Sequence, residues 1–150
     1  MIIMFLGHSK IHSSKLLYEK IKNAILKNVK RDEEILFYCG HEGDFDFLSA
    51  KACRAVSHAY EDCEVVLITP YSEGKEAENK ISVQSGFHET VIYPPLENMP
   101  YRIAIYKRNK WMIGQAELII SYVTHPTDRS YKYLEYAKKI GKQVINLADI

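Results

Sequence analysis

Residues 35–56 read ILFYCGHEGDFDFLSAKACRAV, and the spacing of their apolar residues changes in the middle. Residues 35–39 form a continuous apolar run that stops at Gly40, which is typical of a strand buried on both faces. This stretch predicts a strand, a tight turn and a helix, the repeating unit of a parallel sheet. Beyond the glycine, the apolar residues that recur at helical spacing and share one face are Leu48, Ala52, Ala55, Val56 and Ala59.

The same order of strand and helix recurs along the whole chain, and the pattern is weakest from 70 to 100, where Pro94-Pro95 predicts an extended turn. We therefore predict one domain, residues 1–150, with an α/β fold: a Rossmann-like three-layer sandwich around a mainly parallel sheet. The other predicted elements are strands at 2–6, 65–69, 91–93, 118–123 and 143–147, and helices at 10–31, 74–83, 101–116 and 130–140.

Composition narrows the class of protein. The 150 residues carry 20 Lys and Arg against 19 Asp and Glu, which argues against a dedicated duplex-DNA binder but not against a small anionic ligand. The charges are uneven, because residues 10–31 hold seven Lys or Arg and one Glu.

The apolar N-terminal run is too short for a signal peptide or membrane span, so we expect a cytoplasmic protein. Cys39, Cys53 and Cys63 match no zinc or redox spacing and are expected to be reduced thiols; we expect no metal and no cofactor.

Ligands of open α/β sheets bind outside the carboxyl ends of the strands, so the predicted site is formed by the loops at 7–9, 40–46, 69–74 and 124–130. The turn at 40–46 suits a phosphate because glycines permit close backbone approach and a helix begins there. The alternative is a tight turn in which Asp44 or Asp46 caps the helix. These loops make Ser9, His41, His125, Arg129 and Ser130 candidate ligand-binding residues.

Three further candidates each have a structural alternative. His8 is either a donor to a ligand phosphate or a turn residue. Residues 107–110, beside Trp111, include three cations, and these form a solvated helix face unless the side chains of Arg108 and Asn109 turn inward. Arg129 either clamps an anion or belongs to a surface loop in which Asp128 or Ser130 caps the next helix.

The chain resembles the SLOG superfamily, which includes YpsA-like proteins, DprA and the LOG phosphoribohydrolases, and within it the small stand-alone bacterial branch of unknown function. The resemblance lies in residues 5–8 (FLGH), 37–46 (FYCGHEGDFD), 108–120 (from RNKWMI to AELII) and 136–147 (YAKKIGKQVINL). It implies a nucleotide-type ligand at the strand ends, and self-association as in many relatives. The residues that the resemblance assigns to the ligand are Gly7, His8, Gly40, Gly43, Asp46, Arg108 and Asn109.

Two positions depart from the family pattern. Ser9 stands where relatives commonly have Arg, and Asp128-Arg129 replaces a Gly-Gly pair that holds phosphate in the LOG enzymes. Glu135 stands at the spacing of the catalytic Glu of those enzymes, but it also suits a surface helix position beside Lys138. The leading hypothesis is a nucleotide-binding protein that acts as a sensor. The alternatives are a nucleotide N-glycosidic bond hydrolase with Glu135 as its catalytic residue, and an interaction module without a ligand.

Overall fold

The computed structural model describes residues 1–12, 14–40, 43–69, 90–92 and 100–150. Within these residues six strands form one sheet, and every neighbouring pair is parallel. Their order across the sheet is β4-β3-β2-β1-β5-β6. The strands are β1 (Ile2–Gly7), β2 (Ile35–Cys39), β3 (Cys63–Ile68), β4 (Thr90–Ile92), β5 (Leu118–Tyr122) and β6 (Gln143–Asn146).

The strand order reverses beside β1. The chain adds β2, β3 and β4 on one side of β1 and then returns to place β5 on its other side, where Leu6 pairs with Ser121 and Gly7 with Tyr122. At such a switch point the two following loops diverge to opposite faces of the sheet and leave a crevice at the carboxyl ends of the strands. The fold therefore leaves a crevice between the ends of β1 and β5.

Helices cover both faces of the sheet, because successive residues of a strand point to opposite faces. Ile3 and Phe5 of β1 pack with the first two helices, whereas Met4 and Leu6 pack with the last two. This confirms the Rossmann-like three-layer sandwich. The helices of the described residues are α1 (Lys15–Asn28), α2 (Asp44–Ser57), α3 (Tyr101–Gln115) and α4 (Arg129–Lys139), and a short 3₁₀ helix follows at Leu147–Asp149.

The first helix is shorter than its sequence pattern indicates. The prediction was 10–31, but α1 begins at Lys15, where the Ser14 hydroxyl accepts a hydrogen bond from Leu17 N at 2.9 Å, and it ends at Asn28. An N-terminal cap of this kind satisfies a backbone N–H that has no partner within the helix. Residues 8–12 lie outside both β1 and α1, and Ile11 N donates from this segment to the Asp44 carboxylate at the start of α2.

Some expectations lie partly or wholly outside the described residues: the helix at 74–83, the Pro94-Pro95 turn, and the loop at 69–74 beyond Thr69. The strand expected at 91–93 is found at Thr90–Ile92. The three cysteines are free, two of them buried. Among the described residues no helix has the length and apolar content needed to cross a bilayer.

Candidate functional site

A cleft of about 970 Å³ opens at the switch point. Its floor is the end of β1 and its walls come from α3 and from the start of α4. A volume of this size lies at the upper end of the range for small-molecule sites, roughly 300–1,000 Å³. The cleft is therefore large enough for a ligand of nucleotide size.

The charges around the cleft are far from balanced, although those of the whole chain nearly cancel. The described lining contains five Lys or Arg residues and two carboxylates, Asp46 and Asp128. A concave site lined mainly by one sign of charge concentrates its field and attracts counter-ions. The cleft thus favours an anionic ligand. Its cationic residues are Lys10, Arg102, Arg108, Arg129 and Lys132.

Arg108 and Asn109 turn inward, so the solvated-face interpretation is wrong for these two residues. Arg108 is only 2% exposed and Asn109 9% exposed, whereas the neighbouring Lys107 is exposed. Nε and Nη2 of Arg108 donate to the Asn109 amide oxygen at 3.3 and 2.9 Å. A buried guanidinium loses much of its hydration and needs fixed polar partners. The Asn109 amide is one such partner, and it orients the guanidinium at the edge of the cleft.

Gly40, at the end of β2, leaves room for this cation. A Cβ at position 40 would lie 2.8 Å from Oδ2 of Asp46 and 3.4 Å from Nη2 of Arg108. The carboxylate and the guanidinium therefore approach the same point above the glycine. All three residues line the cleft, as the sequence predicts for a site at the end of β2.

Gly43 and the first residues of α2 have a structural role in the turn at 40–46. The N–H groups of Asp44 and Phe45, in the first turn of α2, donate to the carbonyl oxygens of Ser9 and His8 at 2.8 and 3.3 Å. Gly43 is needed because a Cβ there would lie 2.7 Å from the Ser9 carbonyl oxygen. Two of the N–H groups that a phosphate would use are thus occupied by the β1 loop.

The alternative prediction for this turn, a helix cap from Asp44 or Asp46, is also wrong. The N-cap residue of α2 is Gly43, and no side chain caps the helix. The Asp44 carboxylate instead accepts a hydrogen bond from Ile11 N at 3.0 Å, so it fixes the loop that follows β1. His41, another candidate in this turn, lies outside the described residues.

His8 connects the two sides of the switch point. Thr124 N donates to His8 Nε2 at 3.0 Å, and the Thr124 hydroxyl oxygen also lies 3.0 Å from that nitrogen. The same Nε2 is 3.2 Å from Oδ2 of Asp128. A neutral imidazole accepts from Thr124 through Nε2, whereas a protonated one donates from it to Asp128. His8 therefore holds the loop after β5 against the end of β1 and places an ionisable ring in the cleft.

The loop after β5 is a closed turn rather than a helix cap. His125 N donates to Oδ2 of Asp128 at 3.1 Å, and Asp128 N donates to the His125 carbonyl at 3.1 Å. Asp128 occupies the N-cap position of α4 without capping it, and the Ser130 hydroxyl donates to the Gly7 carbonyl at 2.8 Å. The capping interpretation is therefore wrong for both residues. Arg129 is exposed and lines the cleft, whereas His125 is exposed and does not.

Glu135 lies away from the cleft. It is on the outer surface of α4, its side chain is 50% exposed, and its carboxylate is 3.7 Å from Lys138 Nζ. It is not among the residues that line the cleft. This geometry is that of a surface ion pair on a helix. The carboxylates that do line the described cleft are Asp46 and Asp128.

Two tyrosines in the cleft were missed by the sequence reasoning. Tyr106 of α3 and Tyr133 of α4 have ring centroids 6.0 Å apart, and Lys132 Nζ lies 5.2 Å from each centroid. Tyr106 was detectable in the sequence, because Arg102, Tyr106 and Asn109 follow the i, i+4, i+7 spacing of one helix face. The contact between the two tyrosines depends on the packing of α3 against α4.

The architecture and the cleft together define a Rossmann-like α/β domain with a crevice at its topological switch point. The solved structure of DNA processing protein A (DprA) from Streptococcus pneumoniae shares this fold, with a TM-score of 0.62 and 17% sequence identity. The match covers 95% of this chain and 48% of that one, so the chain spans about half of the DprA chain. The chain thus has a DprA-like Rossmann fold. No family model matches its sequence, and no curated protein matches it.

Proposed function

We propose that this protein binds a nucleotide or nucleotide-derived ligand in the cleft at the switch point, in the role of a cytoplasmic sensor of the SLOG type. The observation that carries this proposal is the buried Arg108, held by Asn109 at the wall of a cleft with a marked excess of cations. The planar guanidinium of Arg matches the geometry of phosphate oxygens and can form paired, charge-assisted hydrogen bonds with them. We therefore expect the ligand phosphate to bind at Arg108.

The departure from the family pattern in the loop after β5 fits this proposal. Relatives bind phosphate through the backbone of a Gly-Gly pair, whereas here Arg129 lines the cleft at the second of those positions. A guanidinium can form charge-assisted hydrogen bonds with the anion that the lost glycines would have bound through backbone N–H groups. Binding rather than hydrolysis is proposed because Glu135, the catalytic candidate, lies outside the cleft.

Ligand-induced stabilisation tests the proposal directly. AMP, ADP, ADP-ribose and cyclic AMP are added up to millimolar concentration, and the melting temperature is measured for each. A ligand at 100 times its Kd stabilises the folded state by about 2.7 kcal/mol, which for a chain of this size raises Tm by about 5–10 °C. The absence of a shift with every nucleotide at millimolar concentration would contradict the proposal.

A pair of variants on α3 locates the binding. Arg108→Met keeps the length of the side chain but removes the charge, and we expect it to weaken nucleotide binding at least tenfold in isothermal titration calorimetry, because a charged hydrogen bond contributes about 1.5–3 kcal/mol. Lys107→Met removes an exposed charge next to it that does not line the cleft, so it should leave the affinity unchanged. Equal effects of the two variants would place the ligand elsewhere. Chromatography of the same mixtures for released base detects any hydrolysis.

A further inference from the structure

The cleft has an aromatic side as well as a cationic one. Tyr106 and Tyr133 both line it, with ring planes inclined at 42°. Tyr133 is 7% exposed and packs against Tyr106, which is 36% exposed and is therefore the more accessible of the two residues. Aromatic faces that line a cleft are surfaces on which a flat ring can stack.

Lys132 covers this aromatic surface. Its ammonium lies 5.2 Å from the centroid of each tyrosine ring, and its side chain is exposed. Lys110 Nζ also lies 5.2 Å from the centroid of Tyr106. A cation–π contact at an exposed site changes an equilibrium by roughly a few-fold, which is less than the stacking of a nucleic-acid base on an aromatic ring contributes. A planar ligand ring can therefore displace the ammonium from the tyrosines.

Tyr106 and Arg108 both line the cleft, but they contact different neighbours. Arg108 approaches Gly40 at the end of β2, and Tyr106 contacts Tyr133 of α4. A ligand that uses both surfaces must carry an anionic group at one end and a flat ring at the other.

We propose that Tyr106 and Tyr133 form a base-binding subsite, in which the ligand's base stacks on Tyr106 and displaces Lys132 while its phosphate is held at Arg108. This inference rests on the proposed function and narrows it: the site selects nucleotides over sugar phosphates. Tyr106 is then a specificity-determining residue. Neither the sequence pattern nor the resemblance had assigned it a role.

The test compares AMP with ribose 5-phosphate, which has the same phosphate and sugar but no base. By calorimetry the wild-type protein should bind AMP roughly 5- to 150-fold more tightly, the range that one stacked base contributes. Tyr106→Leu should remove this preference by weakening AMP binding alone. Tyr131→Leu, on α4 and not lining the cleft, should leave both affinities unchanged.

The outcomes separate this inference from the proposed function. Equal affinity of the wild-type protein for the two ligands would overturn the base-binding subsite and leave the anion site standing. An equal loss of both ligands in Tyr106→Leu would also overturn it, because it would show a general effect on the cleft. If neither ligand binds the wild-type protein, the proposed function itself fails.

Discussion

Replacing Gly43 by alanine should destabilise the protein at the junction of the β1 loop with α2. The backbone at Gly43 has φ near 175°, an extended conformation that any residue adopts, so the glycine is required by space and not by its dihedral angles. An added Cβ would lie 2.7 Å from the carbonyl oxygen and 2.9 Å from the carbonyl carbon of Ser9, closer than the 3.0 Å that real Cβ atoms respect. The loop at Ser9 must therefore move away from α2.

The expected cost combines three contributions. Forcing an extra carbon into this packed contact costs about 1–3 kcal/mol. Moving the Ser9 carbonyl also strains its 2.8 Å hydrogen bond from Asp44 N, which contributes about 1 kcal/mol. The smaller entropy of the unfolded alanine chain returns about 0.4–1 kcal/mol. The net loss is about 1–3.5 kcal/mol, which lowers Tm by about 2–14 °C for a chain of this length.

Urea denaturation and thermal melting of Gly43→Ala measure this loss, and Gly114→Ala is the matched control. Gly114 lies in α3, and a Cβ there would meet nothing within 4 Å. Alanine in a helix is favoured over glycine by about 0.5–1 kcal/mol, so the control variant should be more stable than the wild-type protein. If Gly43→Ala is as stable as the wild-type protein, or if both variants shift in the same direction, the close packing of the loop on α2 is refuted.

Two further predictions concern the core and the far edge of the sheet. Burial, together with the neighbouring Cys39 thiol, raises the pKa of the Cys53 thiol well above its usual value. In the unfolded chain this thiol ionises at about pH 8.5. The folded state thus binds more protons, and the free energy of unfolding should fall as pH rises above about 8.5, by about 1.4 kcal/mol per pH unit. Urea denaturation between pH 8 and 10 should show a smaller slope for Cys53→Ala than for the wild-type protein. Parallel curves of stability against pH for the two proteins would argue against this. The Asn146 side chain accepts from Val123 N at 3.1 Å and donates to Val123 O at 3.0 Å. Asn146→Ala should therefore lower the free energy of unfolding by about 1–3 kcal/mol, measured by thermal melting. The control Asn23→Ala, at an exposed position, should be close to the wild-type protein. An Asn146→Ala variant as stable as the wild-type protein would contradict this.

The fold could be predicted from the sequence because each strand is a short, continuous apolar run and each helix keeps one apolar face. These are local patterns, and burial on both faces of a parallel sheet produces them directly. The start of α1 was misplaced because the helical pattern continues into residues 10–14, where the hydrogen bonds of the loop to α2 determine the conformation. A contact distant in sequence overrode the local preference.

The candidate site was predictable only in part. Gly40 was predicted because the loops after parallel strands meet at one edge of the sheet, whereas Arg108 was assigned by the family resemblance. Glu135 was selected because it stands at the spacing that the catalytic Glu of the LOG enzymes has from their Gly-Gly pair. This spacing predicts the direction of the side chain only if the loop before α4 has the conformation of those enzymes, and here Asp128 and His125 form a different turn. The pairing of Tyr106 with Tyr133 depends on how two helices pack, which no spacing within one helix encodes.

The position of β1 in the middle of the sheet also determines when the cleft can form during folding. His8 and Thr124 meet across 116 positions of the chain, and β1 lacks its second neighbour until β5 has been synthesised. Contacts between such distant residues slow folding because the intervening chain must be ordered first, and an unpaired strand edge is prone to aggregation. On the ribosome, the first three strands can assemble early with α1 and α2 while one edge of β1 stays open. The crevice between β1 and β5 is therefore completed late, when β5 adds to the sheet.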